Sequence, residues 1–148
     1  MVIETLKKIF QRDLEKLKQE IIAYHNESNL WRLEKGIANS AGNLCLHLVG
    51  NLNTYIGAEF GKTGYVRDRD REFSQKNILK DELVKMIEDT ITVVANGLSK
   101  LKVEDLETEY PLLVFKEKTS TVYLLTHLAV HLGYHLGQVN YHRRLLDN

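Results

Sequence analysis

The chain has 148 residues, of which 43% are hydrophobic and 27% charged, and this size and composition suit one domain over residues 1–148. Its formal net charge is zero, so no overall field attracts it to polyanions, and we expect neither nucleic acid nor a membrane as a partner. A lone cysteine excludes an intramolecular disulfide, and no apolar run suffices for a bilayer span or a signal peptide, so the expected location is the cytoplasm.

Hydrophobic residues recur at three- and four-residue steps through most of the chain, a pattern that predicts amphipathic helices. We expect four of them, near residues 2–25, 40–60, 78–101 and 119–146. Between the first two the period is lost, which predicts a connection whose Trp31 packs in the core. The only proline, Pro111, lies in the other long connection. Four such helices are best buried as an all-α four-helix bundle, with the second and fourth capped by Asn39 or Ser40 and by Thr119 or Ser120.

Four of the six histidines lie on the last predicted helix, at His127, His131, His135 and His142. At about 100° of rotation per residue, these four and Gln138 fall within an arc of roughly 80°. One face of a core-facing helix would then carry four imidazoles. Such a cluster indicates a metal site built between helices.

Spacing selects the candidate ligands within this cluster. Histidines at i and i+4 lie one helical turn apart and can bind one ion together, whereas a third ligand must come from another element. His131 and His135 form such a pair. His127 is an alternative partner for His131, but Gln138 places the polar centre of the face nearer to His135. His127 and Gln138 would then support the ligands from behind.

His47 is the natural third ligand because it lies on another predicted helix, on an unusually polar face. Asn43 and Asn51 stand one turn before and one turn after it, and both are candidates to support the site. Cys45 lies about 200° around the same helix from His47, so both side chains cannot reach one ion. We therefore expect Cys45 to fill space in the core.

The charged run Arg67–Glu72 precedes the third helix and has two interpretations. It is either a solvated loop or a segment that presents an arginine to an anionic substrate at the mouth of the metal pocket. The sequence leaves both open.

Other metal schemes lack their required residues. No histidine has a glutamate three positions before it, which excludes the Glu-x-x-His pattern of ferritin-like di-iron bundles. Leu132 follows His131 where zincin proteases need a glutamate. Three neutral histidines leave a divalent ion with its full charge and an open fourth position, which is the pattern of catalytic zinc. Such a site attracts hydroxide, thiolate or carboxylate.

Three motifs make the chain resemble the DinB-like superfamily over nearly its whole length, closest to an uncharacterised branch. They are His47-Leu-Val-Gly-Asn51, the run from Arg67 to Phe73, and His131-Leu-Gly-Tyr-His135-Leu-Gly-Gln138. The resemblance implies a four-helix bundle with a long crossover connection and a histidine triad that binds a divalent metal, often zinc or nickel. Matched position by position, the triad falls on His47, His131 and His135.

The resemblance also implies a class of chemistry, because relatives include transferases and isomerases that use thiols such as bacillithiol or mycothiol. One hypothesis is therefore an enzyme, a metal-dependent thiol S-transferase or hydrolase, that activates a low-molecular-weight thiol or water toward a small-molecule substrate. His127, His142, Tyr134 or Gln138 would have supporting roles, and no catalytic residue is assigned. The alternative is a non-catalytic bundle that retains metal, senses a small ligand or gains rigidity. A homodimer is expected in either case.

Overall fold

A computed structural model, which describes residues 1–148, shows an all-helical chain. Its five α-helices are α1 (Val2–Ile22), α2 (Ala41–Leu52), α3 (Arg69–Ser74), α4 (Lys80–Ser99) and α5 (Thr121–Leu146). A π-helical turn, Asn53–Ala58, continues α2, and 3-10 turns span Glu27–Trp31 and Val103–Glu107. The only strand-like pairing is an isolated antiparallel bridge between Glu109 and Ser120. None of the helices combines the length and apolar character needed to cross a membrane.

The four long helices contact one another in pairs, with α1 and α2 each packed against both α4 and α5. This arrangement is compatible with a four-helix bundle. Each long helix turns apolar residues inward, and together with a few residues of the connections, such as Trp31 and Tyr110, they form one cluster of 28 buried hydrophobic residues. The predicted all-α class is therefore confirmed.

Helix α2 is the most enclosed element, because all twelve of its residues are buried. Its apolar side chains include Leu44, Leu48 and Leu52. Three polar residues, Asn43, His47 and Asn51, are buried with them. Burying a polar group without a partner is costly, so the surroundings of these three side chains are where a functional site is to be sought.

Two serines fix where the site-bearing helices begin. The Ser40 hydroxyl accepts a hydrogen bond from the Asn43 amide at the start of α2, and the Ser120 hydroxyl accepts one from the Tyr123 amide at the start of α5. Both serines were among the predicted caps. Trp31 is buried as predicted, and it lies so close to Gly42 that a Cβ there would fall 2.6 Å from its ring.

One helix was not predicted. Helix α3 begins within the charged run, after Asp68, because the Asp68 carboxylate accepts a hydrogen bond from the Arg71 amide. The first helix also ends at Ile22 rather than near residue 25, because Asn26 caps the following 3-10 turn through the Ser28 amide. The second helix continues to Ala58 only in π-helical form.

Candidate metal centre

Three imidazoles converge between α2 and α5. His47 Nε2 lies 3.2 Å from His131 Nε2, and His135 Nε2 lies 3.1 Å from the same atom. One nitrogen from each of the three rings lies within 4.8 Å of the others. Around a tetrahedral ion with metal–nitrogen bonds of about 2.0–2.1 Å, two nitrogens stand about 3.3–3.4 Å apart. The spacing of the three nitrogens thus suits one shared ion.

Hydrogen bonds on the far side of two rings fix which nitrogens carry lone pairs. His47 Nδ1–H donates to Glu72 Oε1 at 3.1 Å, and His135 Nδ1–H donates to Gln138 Oε1 at 2.7 Å. Because a neutral imidazole has only one N–H, the Nε2 atoms of both rings hold lone pairs that face the cluster. Lone pairs at this distance repel unless a cation or a proton lies between them. The donor set therefore fits a metal ion.

Burial favours the neutral form of two of these imidazoles, His131 and His135. It lowers the pKa of His131 to about 4, with further lowering from the neighbouring His135, His47 and His127. Burial also lowers the pKa of His135, against a smaller opposite effect of its hydrogen bond to Gln138. Neutral imidazole is the form that binds a metal, so no proton has to be displaced from these rings at pH 7.

Behind His47 stands a buried carboxylate, Glu72, that the sequence did not identify. Glu72 accepts hydrogen bonds from His47 and from Arg67, whose Nε and Nη2 donate at 2.8 Å and 3.0 Å. Burial raises the pKa of Glu72, but these hydrogen bonds outweigh burial and hold its pKa below the ordinary value. A charged carboxylate behind a histidine fixes the ring's tautomer and raises the basicity of its free nitrogen.

Helix α2 also positions this carboxylate. Gly50 follows His47 by about one turn, and a Cβ added there would fall 2.6 Å from Glu72 Cδ and closer still to Oε2. Asn43, one turn before His47, donates through Nδ2 to the backbone carbonyls of Glu72 and Gln75 at 2.9 Å and 2.8 Å. The absent side chain at Gly50 therefore makes room for Glu72, while Asn43 fastens α3 to α2.

The predicted supporting residues are thus placed differently from one another. Gln138 hydrogen-bonds a candidate ligand directly, whereas Asn43 reaches the site through the backbone of α3 rather than through a histidine. Asn51 is buried with its Oδ1 unpartnered. His127 lies outside the converging group and stacks on His131, with ring centroids 6.0 Å apart and planes at 25°. His131 Nδ1 is buried without a hydrogen-bond partner, so the polar contacts of this ring are those of its Nε2 with His47 and His135.

Three other residues with metal-binding side chains lie away from the cluster. His142 is buried, but its Nε2–H donates to the Arg32 carbonyl at 2.8 Å, and its Nδ1 accepts from the Tyr24 hydroxyl at 2.6 Å. His25 is exposed. Cys45 is fully enclosed, and burial raises the pKa of its thiol to about 12, so it remains a neutral thiol. The expected role of Cys45 as filler agrees with this placement.

The solvated interpretation of the charged run Arg67–Glu72 holds for its middle, because residues 68–71 are exposed, and it fails at Glu72. The interpretation that an arginine faces an anionic substrate stays a prediction. Glu72 is buried rather than solvated, and the half-buried guanidinium of Arg67 faces Glu72 and the Tyr55 ring, 5.7 Å from the ring centroid. The positive charge of Arg67 stabilises the ionised carboxylate of Glu72 behind His47. The one signal in the sequence that could have revealed this partner is Gly50, a residue without a side chain on the helix that carries His47.

Comparison with known proteins identifies a family whose description names no activity. A family model described as a protein of unknown function, DUF1572, matches residues 2–148. No curated protein matches the chain. Function must therefore be inferred from the geometry of the site.

Proposed function

We propose that this chain, which belongs to the DUF1572 family, is a single DinB-like four-helix-bundle domain that binds one divalent metal ion, zinc or nickel, through His47, His131 and His135. The observation that carries the proposal is the convergence of three Nε2 atoms, two of which hold lone pairs toward the cluster. The pairwise packing of the four long helices supports the bundle, and the match over residues 2–148 is consistent with one domain.

The number of ligands favours a reactive site over a purely structural one. The converging group contains three histidines and no fourth histidine, cysteine or carboxylate. Structural zinc sites generally use four protein ligands, whereas catalytic sites use three and leave a position for water or substrate. An ion held by three neutral imidazoles supplies Lewis acidity that lowers the pKa of a thiol or water. We therefore propose a metal-dependent transferase or hydrolase that acts on a low-molecular-weight thiol or on water.

The chain's own residues have distinct tasks in this scheme. Glu72 and Gln138 accept the Nδ1 protons of His47 and His135, and so hold the Nε2 lone pairs toward a common point. Arg67 pairs with Glu72 and keeps it ionised. Burial disfavours a second, charge-bearing proton on His131 and on His135 by lowering the pKa of each ring. Together they prepare the site before any ligand arrives.

A second candidate function follows from the position of the site. The three histidines come from two helices, so a bound ion would join α2 to α5 and stabilise their packing. In that case the protein is a metal-retaining or ligand-sensing bundle without turnover. The homodimer expected from the sequence stays a prediction, which sedimentation of the purified protein would test.

Turnover separates the two candidates. Zinc- or nickel-loaded protein is mixed with thiols, including bacillithiol and coenzyme A, and with small electrophiles, and conjugation is measured with and without the metal. The transferase hypothesis predicts a metal-dependent rate that His135→Ala removes and that His25→Ala leaves unchanged. The structural alternative predicts no rate with any pair and a lower melting temperature on removal of the ion.

A further inference from the structure

A cavity of about 580 Å³ opens beside the candidate metal centre, between the loop 34–39 and α5. Half of its lining residues are hydrophobic. They are Ile37, Ala38, Leu44, Tyr134, Tyr141, Leu145 and Leu146. Small-molecule sites in proteins have about this volume and are mostly apolar, with a few polar groups that orient the ligand. The cavity has the size and lining of such a site.

Contacts at one end connect the cavity to the metal centre. His135 and Gln138 both line it, and Gln138 accepts the hydrogen bond from His135 Nδ1. The Tyr134 ring also lines the cavity and meets His135 edge-on, with centroids 5.2 Å apart and planes at 73°. A molecule in the cavity would therefore touch the groups that orient one of the three converging imidazoles.

The polar residues of the wall indicate the charge of the ligand. Glu34 is paired with Arg32 at 2.7 Å, which offsets its negative charge. His142 uses both ring nitrogens in hydrogen bonds within the protein. Lys35 forms no ion pair, so its ammonium is the charged group on the wall that remains available to a ligand. An apolar cavity with a free cation at its edge suits an anion with an apolar body.

We propose that this cavity binds a small amphipathic carboxylic acid. Its aliphatic or aromatic body lies between the apolar wall and the rings of Tyr134 and Tyr141, and its carboxylate faces Lys35. In the proposed function, this cavity holds the substrate beside His135. That role rests on the proposed function, whereas the binding itself does not.

Binding of 4-phenylbutyrate to the metal-free protein, measured by calorimetry, tests the inference, with 4-phenylbutanol as the uncharged counterpart. The acid should bind more tightly than the alcohol. Lys35→Glu should lower the affinity for the acid by about five- to tenfold, because the exposed attraction between the ammonium and the carboxylate becomes a repulsion of similar size. The affinity for the alcohol should stay unchanged.

Filling the cavity should weaken binding of both compounds. Ala38→Trp and Leu145→Trp add bulk on opposite walls and should each weaken binding by at least about tenfold. Val103→Trp is the matched control, because Val103 has the same 66% exposure as Leu145 but lies outside the cavity. Circular dichroism of each variant verifies the fold. Binding that survives both cavity-filling changes, or equal affinity for acid and alcohol, would overturn the proposal.

Zinc affinity of the same variants distinguishes this inference from the proposed function. Ala38→Trp and Lys35→Glu should leave zinc binding unchanged, because neither residue hydrogen-bonds a histidine. A protein that binds phenylbutyrate but no metal would contradict the proposed function and uphold the cavity. A protein that binds zinc but not phenylbutyrate would contradict the cavity inference and leave the proposed metal site standing.

Discussion

Two groups of histidines on one face of α5 have opposite surroundings. Both ring nitrogens of His142 are hydrogen-bonded within the protein, one to the Tyr24 hydroxyl and the other to the Arg32 carbonyl. Farther toward the start of the helix, His131 and His135 meet His47 through Nε2 atoms. Glu72 and Gln138 accept the Nδ1 protons of His47 and His135, whereas His131 Nδ1 has no partner. The comparison shows that helical spacing selects a face, whereas hydrogen-bond partners decide whether a histidine supports the fold or remains free to bind a ligand.

Replacing the histidines of the two groups one at a time, with the exposed His25 as a control, tests this comparison most directly. His47→Ala, His131→Ala and His135→Ala should each weaken zinc binding by more than the factor of about 10–100 that is typical for loss of an outer partner. His142→Ala and His25→Ala should leave the affinity unchanged. Competition with a chromophoric chelator measures all five variants.

His127 gives an internal check on this prediction. It stacks on His131 without joining the converging group, so His127→Ala should have a smaller effect than His135→Ala. Equal losses for the two variants would show that the ligand pair on α5 has been chosen wrongly.

A smaller effect is expected from the carboxylate behind His47. Glu72→Gln should weaken zinc binding by about 10–100-fold, because His47 loses its charged acceptor. Gly50→Ala should have a similar effect by displacing Glu72, even though alanine favours the helix. Asp70→Asn, an exposed change in α3, is the control, and equal affinities for all three variants would remove Glu72 from the account.

His142, whose ring nitrogens are both hydrogen-bonded, should influence the stability of the fold rather than metal binding. His142→Phe leaves the Tyr24 hydroxyl and the Arg32 carbonyl unpartnered, and should lower the free energy of unfolding by about 1–3 kcal/mol. Tyr24→Phe removes only one of these bonds and should cost less. Urea denaturation measures the unfolding free energy of both variants. A loss of zinc affinity in His142→Phe would contradict the assignment of His142 to the fold rather than to the metal site.

The smallest effect concerns the chain end beside His142. Asp147 accepts hydrogen bonds from the backbone amides of His25 and Asn26 and from Asn29. Burial raises the pKa of Asp147, but these bonds outweigh it and hold the pKa below its ordinary value of 3.8. A depressed carboxyl pKa stabilises the fold above the unfolded-state pKa, and this contribution is lost as pH falls through the folded-state value.

Asp147→Asn should therefore lower the free energy of unfolding by about 1 kcal/mol at pH 7, because a charged acceptor becomes neutral. The difference from the unsubstituted protein should shrink as the pH falls below about 4. Urea denaturation at pH 7 and at pH 3 measures it, and a difference that grows in acid would contradict the assignment.

Periodicity and spacing predicted much of this molecule. The four long helices follow from apolar stripes, and the serine caps follow from local sequence. The i, i+4 spacing left His127 and His135 as partners for His131, Gln138 favoured His135, and the polar neighbours of His47 singled it out as the third residue. The structure brings these three predicted residues together. In each case the deciding information lies within a turn or two of the chain.

The remaining features depend on contacts that no local pattern contains. Helix α3 has only six residues, too few to show a period, and it is held by Asn43 from another helix. Glu72 looks like one charge in a solvated run until Gly50 admits it to the interior. The partners of His142 are 118 and 110 residues away in the chain, so its face on the helix could not reveal its role.

X-ray absorption at the zinc edge tests the central claim most directly. The zinc-loaded protein should show one ion per chain with three imidazole nitrogens at about 2.0–2.1 Å and one further light ligand. His135→Ala should reduce the imidazole count to two or abolish binding. A sulfur neighbour at about 2.3 Å, or a spectrum that His47→Ala and His135→Ala leave unchanged, would contradict the tri-histidine site.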